Sequence, residues 1–491
     1  MDKLPLEVLD MIIASIEDHH RGIQDHHRSG HALQHIQTRR DQLCILARVS
    51  SVLHAAVLPD LYREFRQPDI RKKWLYSSLK QNPELGNLVR KVDWEQGHGD
   101  ISAQLSEMLP SVKHQRDRFR MVMARNLIFL HLALSTLQHC KNIAEMNIEL
   151  KLQHSDEDDE MLPRYDDLAN LPCTASIRHF RLFGYVNQEY AEQTASLLAW
   201  ISSMSNLETL SIEDVPNLHN LSDYIFLNGM PAFSHLRKLS LGRAEPLSDS
   251  CSSLVVAEEL LRRPTVHLTD LCLSLADSTT TNTGFKYLCH AFEDLANPKS
   301  ITRLQLTISL AEDDSNKLPA SEAWSPFLGK FHSLTTLHLV VPEWLELPTP
   351  PDEFHVIRLW SSFFTQLYQV PQLRNTLCRL TFEQQYIDLP SSFVQTNILS
   401  LQSQFTNLEN QIIIACGTMP NSSVAAAEGQ HEEAFIAFYR KYMKNVSPDV
   451  ETTIQARFFN SFEIKRLPGG RLQQRTPFPQ WIVDDLGWED A

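Results

Sequence analysis

Glycine is scarce, 15 in 491 residues, and none of it forms a phosphate-cradling loop or a G-x-S-x-G nucleophile elbow. An H-E-x-x-H zinc motif is absent too, since His431 is followed by Glu432, Glu433 and Ala434. The eight cysteines never come as C-x-x-C or another close pair, so they read as small buried apolar residues of a reducing compartment rather than zinc ligands or a disulfide framework. No apolar run approaches the roughly 20 residues of a membrane span, and the chain opens on Asp2 and an amphipathic pattern instead of a secretory signal. Basic residues are the minority, 45 against 60 acidic, and the net charge of −15 argues against nucleic acid as the main partner. The expectation is a cytoplasmic or nuclear protein with no catalytic residues, no cofactor and no membrane or nucleic-acid partner.

What the chain does have is a returning phrase. Leu207-Glu-Thr-Leu210-Ser-Ile212, Leu236-Arg-Lys-Leu239-Ser-Leu241, Leu268-Thr-Asp-Leu271-Cys-Leu273, Ile301-Thr-Arg-Leu304-Gln-Leu306 and Leu334-Thr-Thr-Leu337-His-Leu339 follow one another in steps of 29, 32, 33 and 33 residues. The last two apolar residues of each copy stand two apart, as a strand with one buried face requires, and the first stands where a turn tucks it beneath that strand. Looser copies start at Ile143, Ile177 and Leu377. A period near 30 is the mark of a solenoid, whose units complete one another's core. Between copies, Ala191 to Met204, Ser252 to Arg263, Asn282 to Ala296 and Asp352 to Val370 carry helical spacing, the return path that parallel strands need.

The array resembles a leucine-rich-repeat domain of the irregular kind. That family usually carries Asn or Cys eight residues after the first leucine, bonded to the backbone at the bend. Here the position holds Val215, Ala244, Ala276, Ser309 and Pro342, so no such ladder is expected there. If the repeats form one curved sheet, Ser211, Ser240, Cys272, Gln305 and His338 make a row on its open face, with neither an arginine cluster nor an aromatic anchor to name a ligand.

Residues 1–125 hold 19 basic and 16 acidic side chains and the remainder 26 and 44, so the array is the acidic part. At the amino end, Pro5 and Glu7 suit the first turn of a helix whose Leu9, Ile12, Ile13 and Ile16 share a face. A second pattern runs through Leu43, Leu46, Val49, Leu53 and Val57, with a new helix start at Ser50-Ser51. Leu4-Pro-Leu-Glu-Val-Leu9, Leu46-Ala-Arg-Val49-Ser50 and Leu58-Pro-Asp-Leu-Tyr62 resemble an F-box of the fungal type, and the sequel through Trp74, Leu88 and Trp94 into repeats is similar to that of such proteins.

The resemblance implies a three-helix module that docks on the SKP adaptor of a cullin-based ubiquitin ligase. Leu4, Pro5, Glu7, Val8, Val49 and Ser50 would face the adaptor, while Leu46, Leu53 and Ile12 close a local core. The domains expected are an F-box-like module (1–66), a helical connector and cap (67–140), an α/β leucine-rich-repeat-like array (141–390) and a cap with tail (391–491). The function expected is a substrate-recognition subunit that binds the adaptor, through it a cullin, and an unknown protein client. The alternative is a non-catalytic repeat scaffold with a degenerate F-box. Two departures bear on the choice: the insertion from Asp18 to Asp41, and Ser51 in place of the usual basic residue.

The insertion holds His19, His20, His26, His27, His31 and His35. Histidines at 27, 31 and 35 would share a helical face able to hold zinc or nickel, while the same residues equally fit a solvated polar loop. After Phe382 the repeat fades into an apolar strand ending in Ile412-Ile-Ile414, an amphipathic helix from Glu428 to Val446 and a further strand from Thr453 to Ile464. Something atypical must seal the open end.

Overall fold

A computed structural model describes residues 43–49, 51–66, 73–95, 133–149, 170–183, 200–213, 231–242, 266–275, 298–308, 324–341, 353–384, 397, 401, 404–415, 451–457, 461–466 and 472–474. They fall in two units, Met1–Leu210 with Met230–Ala232, and Ser211–Gly229 with Phe233–Ala491. The expected helices at 1–16, 252–263, 282–296 and 428–446 lie outside the described residues, and of 191–204 only the end is described, helical over 200–202.

In the first unit a helix over 43–49 and a second over Ser51–Arg63 lead straight into β1, Glu64–Arg66. Pro59 lies inside the second helix, where it removes one N–H from the ladder. β2 (Lys91–Glu95), β3 (Glu145–Glu149), β4 (His179–Phe183) and the start of β5 (Thr209–Glu213) follow. β1 to β4 pair in parallel and in chain order, with Phe65, Val92, Met146 and Phe180 in one buried row. Trp200 from the return segment meets Phe180 edge to face at 5.3 Å, and its Nε1 donates to Thr174 Oγ1 at 3.1 Å, so the buried indole N–H is satisfied inside the core.

The second unit continues the pattern through β6 (Lys238–Leu241), β7 (Asp270–Leu275), β8 (Arg303–Ile308), β9 (Thr336–Val341), β10 (Arg379–Gln384), β11 (Asn410–Ala415) and β12 (Glu451–Arg457). All pair in parallel and in chain order. Leu239, Leu271, Leu304, Leu337 and Leu380 align in register, as do Leu241, Leu273, Leu306, Leu339 and Phe382, and each is buried. Behind β10 the helix Glu353–Leu367 buries Trp360, Phe363, Phe364 and Leu367, the i, i+3, i+4, i+7 stripe of an amphipathic helix. It locks to the short helix Trp324–Leu328 through a Trp324–Phe363 ring pair at 4.7 Å and a bond from the Ser325 N–H to Gln366 Oε1 at 2.9 Å. The fold is thus mixed α/β, with parallel strands in sequence order and helical returns, consistent with a solenoid-like repeat.

Parallel pairing reaches beyond 141–390 in both directions, to β1 and β12. The single strand expected from Thr453 to Ile464 is two: β12 turns back into β13 (Ser461–Arg466), and β13 pairs with β14 (Leu472–Gln474), both antiparallel. Only residues 458–460 link β12 to β13. Three residues suffice for a hairpin, whereas a parallel neighbour needs a crossover of about a dozen residues or more.

A hydrogen-bonded ladder does exist, at the entry of the strands. The carbonyl of the residue after the first apolar position accepts two N–H groups of the next repeat at Arg90, Ala144 and Arg178 in the first unit and at Arg237, Thr269, Thr302, Thr335 and Cys378 in the second. Side chains reinforce it, among them Asn142 Nδ2 to Asn87 O (3.0 Å), Ser176 Oγ to Ile143 O (2.8 Å), Asn206 Nδ2 to Ala175 O (2.7 Å) and Ser300 Oγ to Leu268 O (2.8 Å). Backbone that turns into a strand needs partners there as much as at the far bend. The five positions at that far bend lie outside the described residues.

Candidate interaction surfaces

The first surface belongs to the helix pair at 43–63. Leu43 and Val57 are buried with Leu46, Ala47, Ala56 and Leu61 packed around them, and Leu53 is buried as well. By contrast, Ile45, Val49 and Val52 are 62%, 48% and 41% exposed. Ile45 and Val49 stand four apart on one helix and therefore share a face. Val49 was expected to face a partner and its side chain is open to solvent; Ile45 was missed, although its four-residue spacing from Val49 was readable. Leu4, Pro5, Glu7, Val8 and Ser50 lie outside the described residues, as does the histidine-rich segment.

The open side of the first unit is polar and internally paired. Lys91 Nζ lies 2.8 Å from Glu145 Oε1 and 3.8 Å from Asp93 Oδ1, and Asn147 Nδ2 donates to Asp93. Burial alone would lower the Lys91 pKa, but the hydrogen bond to Glu145 and the charges of Asp93, Glu145 and Glu64 outweigh it and raise the pKa. His179 Nδ1 sits 3.0 Å from Thr209 Oγ1 on the same side.

In the second unit the expected row is real from β6 to β9: Ser240, Cys272, Gln305 and His338 are in register, and the row continues to Thr381. At β9 and β10 the character changes. Val340, Thr381 and Glu383 are buried, and Glu383 Oε2 lies 3.1 Å from His338 Nε2. Burial raises the Cys272 thiol pKa, opposed by a hydrogen bond with Ser240 and assisted by the charge of Glu213. Two positions before each residue of this row stands another on the same side: Lys238, Asp270, Arg303, Thr336 and Arg379, again in register. The period of two that places the row also places these positions, two residues earlier in each strand, though not the charge they carry.

Cys140 and Cys173 are fully buried free thiols. Desolvation pushes both up to about 12, with Cys173 adding to the effect at Cys140 and a local backbone hydrogen bond opposing it at Cys173. An unfolded thiol ionises near pH 8.5. The two groups therefore leave stability untouched at lower pH and erode it as pH rises from there towards 12. The expected result is a urea midpoint that falls across that range, and falls less steeply when both cysteines are alanine. Equal slopes would show that other groups carry the alkaline loss.

Among the described residues no helix is long and apolar enough to cross a membrane, and no group of three His, Cys, Asp or Glu side chains could hold a metal ion. Comparison with models of known families gives no match, and comparison with curated proteins gives none either.

Proposed function

We propose that the chain is a substrate receptor of a cullin-based ubiquitin ligase, gripping the SKP adaptor with its amino-terminal helices and presenting a protein client on its repeats. The observation that carries the reading is the exposed apolar pair Ile45 and Val49 on one helix face, with Val52 exposed at the start of the next helix, while Leu43, Leu53 and Val57 of the same two helices are buried. Isolated exposed apolar residues are ordinary; two on one helix face with a third close by in the chain are what a docking partner would cover. The F-box-like phrases containing Leu4, Pro5, Glu7, Val8, Val49 and Ser50 name the partner. The receptor has no chemistry of its own in this reading. It raises the client's effective concentration beside the ubiquitin carrier, in cytoplasm or nucleus.

Deleting residues 1–65 is a poor test, because it removes most of β1 and the buried Phe65 with it. Point changes on the exposed pair are cleaner. Ile45→Asp with Val49→Asp is expected to cut adaptor capture at least about ten-fold, since each introduces a charge that docking would have to desolvate. Leu4→Ala with Pro5→Ala is expected to do the same, with the thermal unfolding of both variants unchanged. Adaptor capture insensitive to both pairs would sink the proposal. Capture of adaptor without any cullin would favour the second reading, a scaffold outside ubiquitin transfer, which the insertion from Asp18 to Asp41 motivates.

A further inference from the structure

The second unit collects its cations at the entry of the strands. Lys238 opens β6, Arg303 opens β8 and Arg379 opens β10 in one register row, and Lys299 and Lys330 stand on the turns that enter β8 and β9. Arg237 NH1 reaches across to the carbonyl of His267, at the entry of β7. Opposed to them among the described entry residues are Asp270, held by Arg303 at 3.3 Å, Glu409, and Glu451, which opens β12 further along the same row. Among the described residues, Lys238, Lys299, Lys330 and Arg379 have no carboxylate within ion-pair distance. Such a rim is unexpected where the sequence from residue 126 onward holds 26 basic and 44 acidic side chains. Adjacent strands are about 4.8 Å apart, so the rim runs from β6 to β10 over about 19 Å, and the row cations Lys238, Arg303 and Arg379 recur every 10 Å or so.

We propose that this rim binds an extended acidic polypeptide segment whose carboxylates recur every third residue. An extended left-handed polypeptide repeats every three residues, at about 3.1 Å each, which brings successive carboxylates over alternate strands. Nucleic acid fits less well. The chain's net −15 repels a dense polyanion, and among the described residues the rim exposes no Trp, Tyr or Phe on which bases could stack. The inference rests on the receptor reading only for its biological sense, since it names the chemistry of the client.

The test uses the purified full chain and a fluorescent peptide with Glu at every third position, compared with its Gln counterpart, a peptide with the same Glu residues in one block, and a single-stranded oligonucleotide of equal charge. The spaced Glu peptide is expected to bind best and to weaken as salt rises. Lys238→Glu, Lys330→Glu and Arg379→Glu together are expected to weaken it about ten-fold or more, the sum of three exposed pairs turned to repulsion. Arg48→Glu with Lys141→Glu, on the other unit, is expected to change binding less than two-fold. No binding of the spaced peptide, equal loss from the control pair, or tighter binding of the block peptide or the oligonucleotide would overturn the inference. Adaptor capture by the triple variant stays intact in every case, which separates this outcome from the fate of the receptor reading.

Discussion

Trp360→Ala is expected to destabilise the second unit by about 3–5 kcal/mol, the usual cost of emptying a large aromatic site in a packed core. Trp360 is 1% exposed and joins three rings: Phe382 of β10 at 5.5 Å and 89°, Phe363 at 5.5 Å and 65°, and Phe364 at 6.2 Å and 38°. It is therefore the pin between the helix Glu353–Leu367 and the strand beneath it. Edge-to-face contacts add to the area term, and a helix and a strand cannot both move to fill the void. In a stack where each unit leans on its neighbours, the loss at β10 spreads to β9 and β11. Thr365→Ala on the exposed side of the same helix removes only a bond to the Ser361 carbonyl and is expected to stay within about 0.5 kcal/mol. Urea unfolding followed by circular dichroism measures both. A Trp360→Ala cost below about 1 kcal/mol would mean that the helix is not fixed by its aromatic side.

The apolar period carried most of the fold. Leu207, Leu210 and Ile212 are each no more than 1% exposed, and the equivalent residues of the next four copies no more than 2%, because a buried side chain at each of three positions is a demand the sequence cannot disguise. The entry ladder was less visible. Asn142, Ser176, Asn206 and Ser300 share a structural position but not a residue type, so no single letter recurs to betray them. Val49 shares a helical phrase with Leu43, Leu53 and Val57, which are buried, so its exposure is seen only in the structure; the period of two places the entry-rim positions on one side of the sheet but does not show that cations gather there. Lys238, Arg303 and Arg379 alternate with Asp270 and Thr336, so they merge into one row only when the strands are laid side by side. Glu383 shows the same limit: nothing local marks a glutamate one residue after a buried phenylalanine as buried itself, yet it is 5% exposed.

Gly86→Ala is expected to cost the first unit about 3 kcal/mol or more, at or above the top of the range for overpacking, because the atom in the way is backbone. Gly86 ends the short helix Pro83–Gly86, just before β2, and a Cβ there would come within 2.1 Å of the His139 carbonyl oxygen and 2.8 Å of its carbon. That segment cannot retreat cheaply. The Cys140 N–H bonds to Leu137 O, Cys140 is fully buried, and Asn142 reaches back to Asn87 O, so the turn at 138–142 is held on both sides of the intruding methyl. Two other glycines set the scale. At Gly242 a Cβ would meet the Glu213 side chain at 2.6 Å but backbone only at 3.0 Å, and at Gly329 the nearest atom, the Ser325 carbonyl oxygen, is 3.0 Å away. A side chain can swing aside and a few tenths of an ångström can be absorbed. The expected order of destabilisation by alanine is therefore Gly86, then Gly242, then Gly329, read as urea midpoints of three single variants. A Gly86 variant as stable as the Gly329 variant would show that helix Pro83–Gly86 is free to slide away from the turn at 138–142, and that β2 does not depend on their close approach.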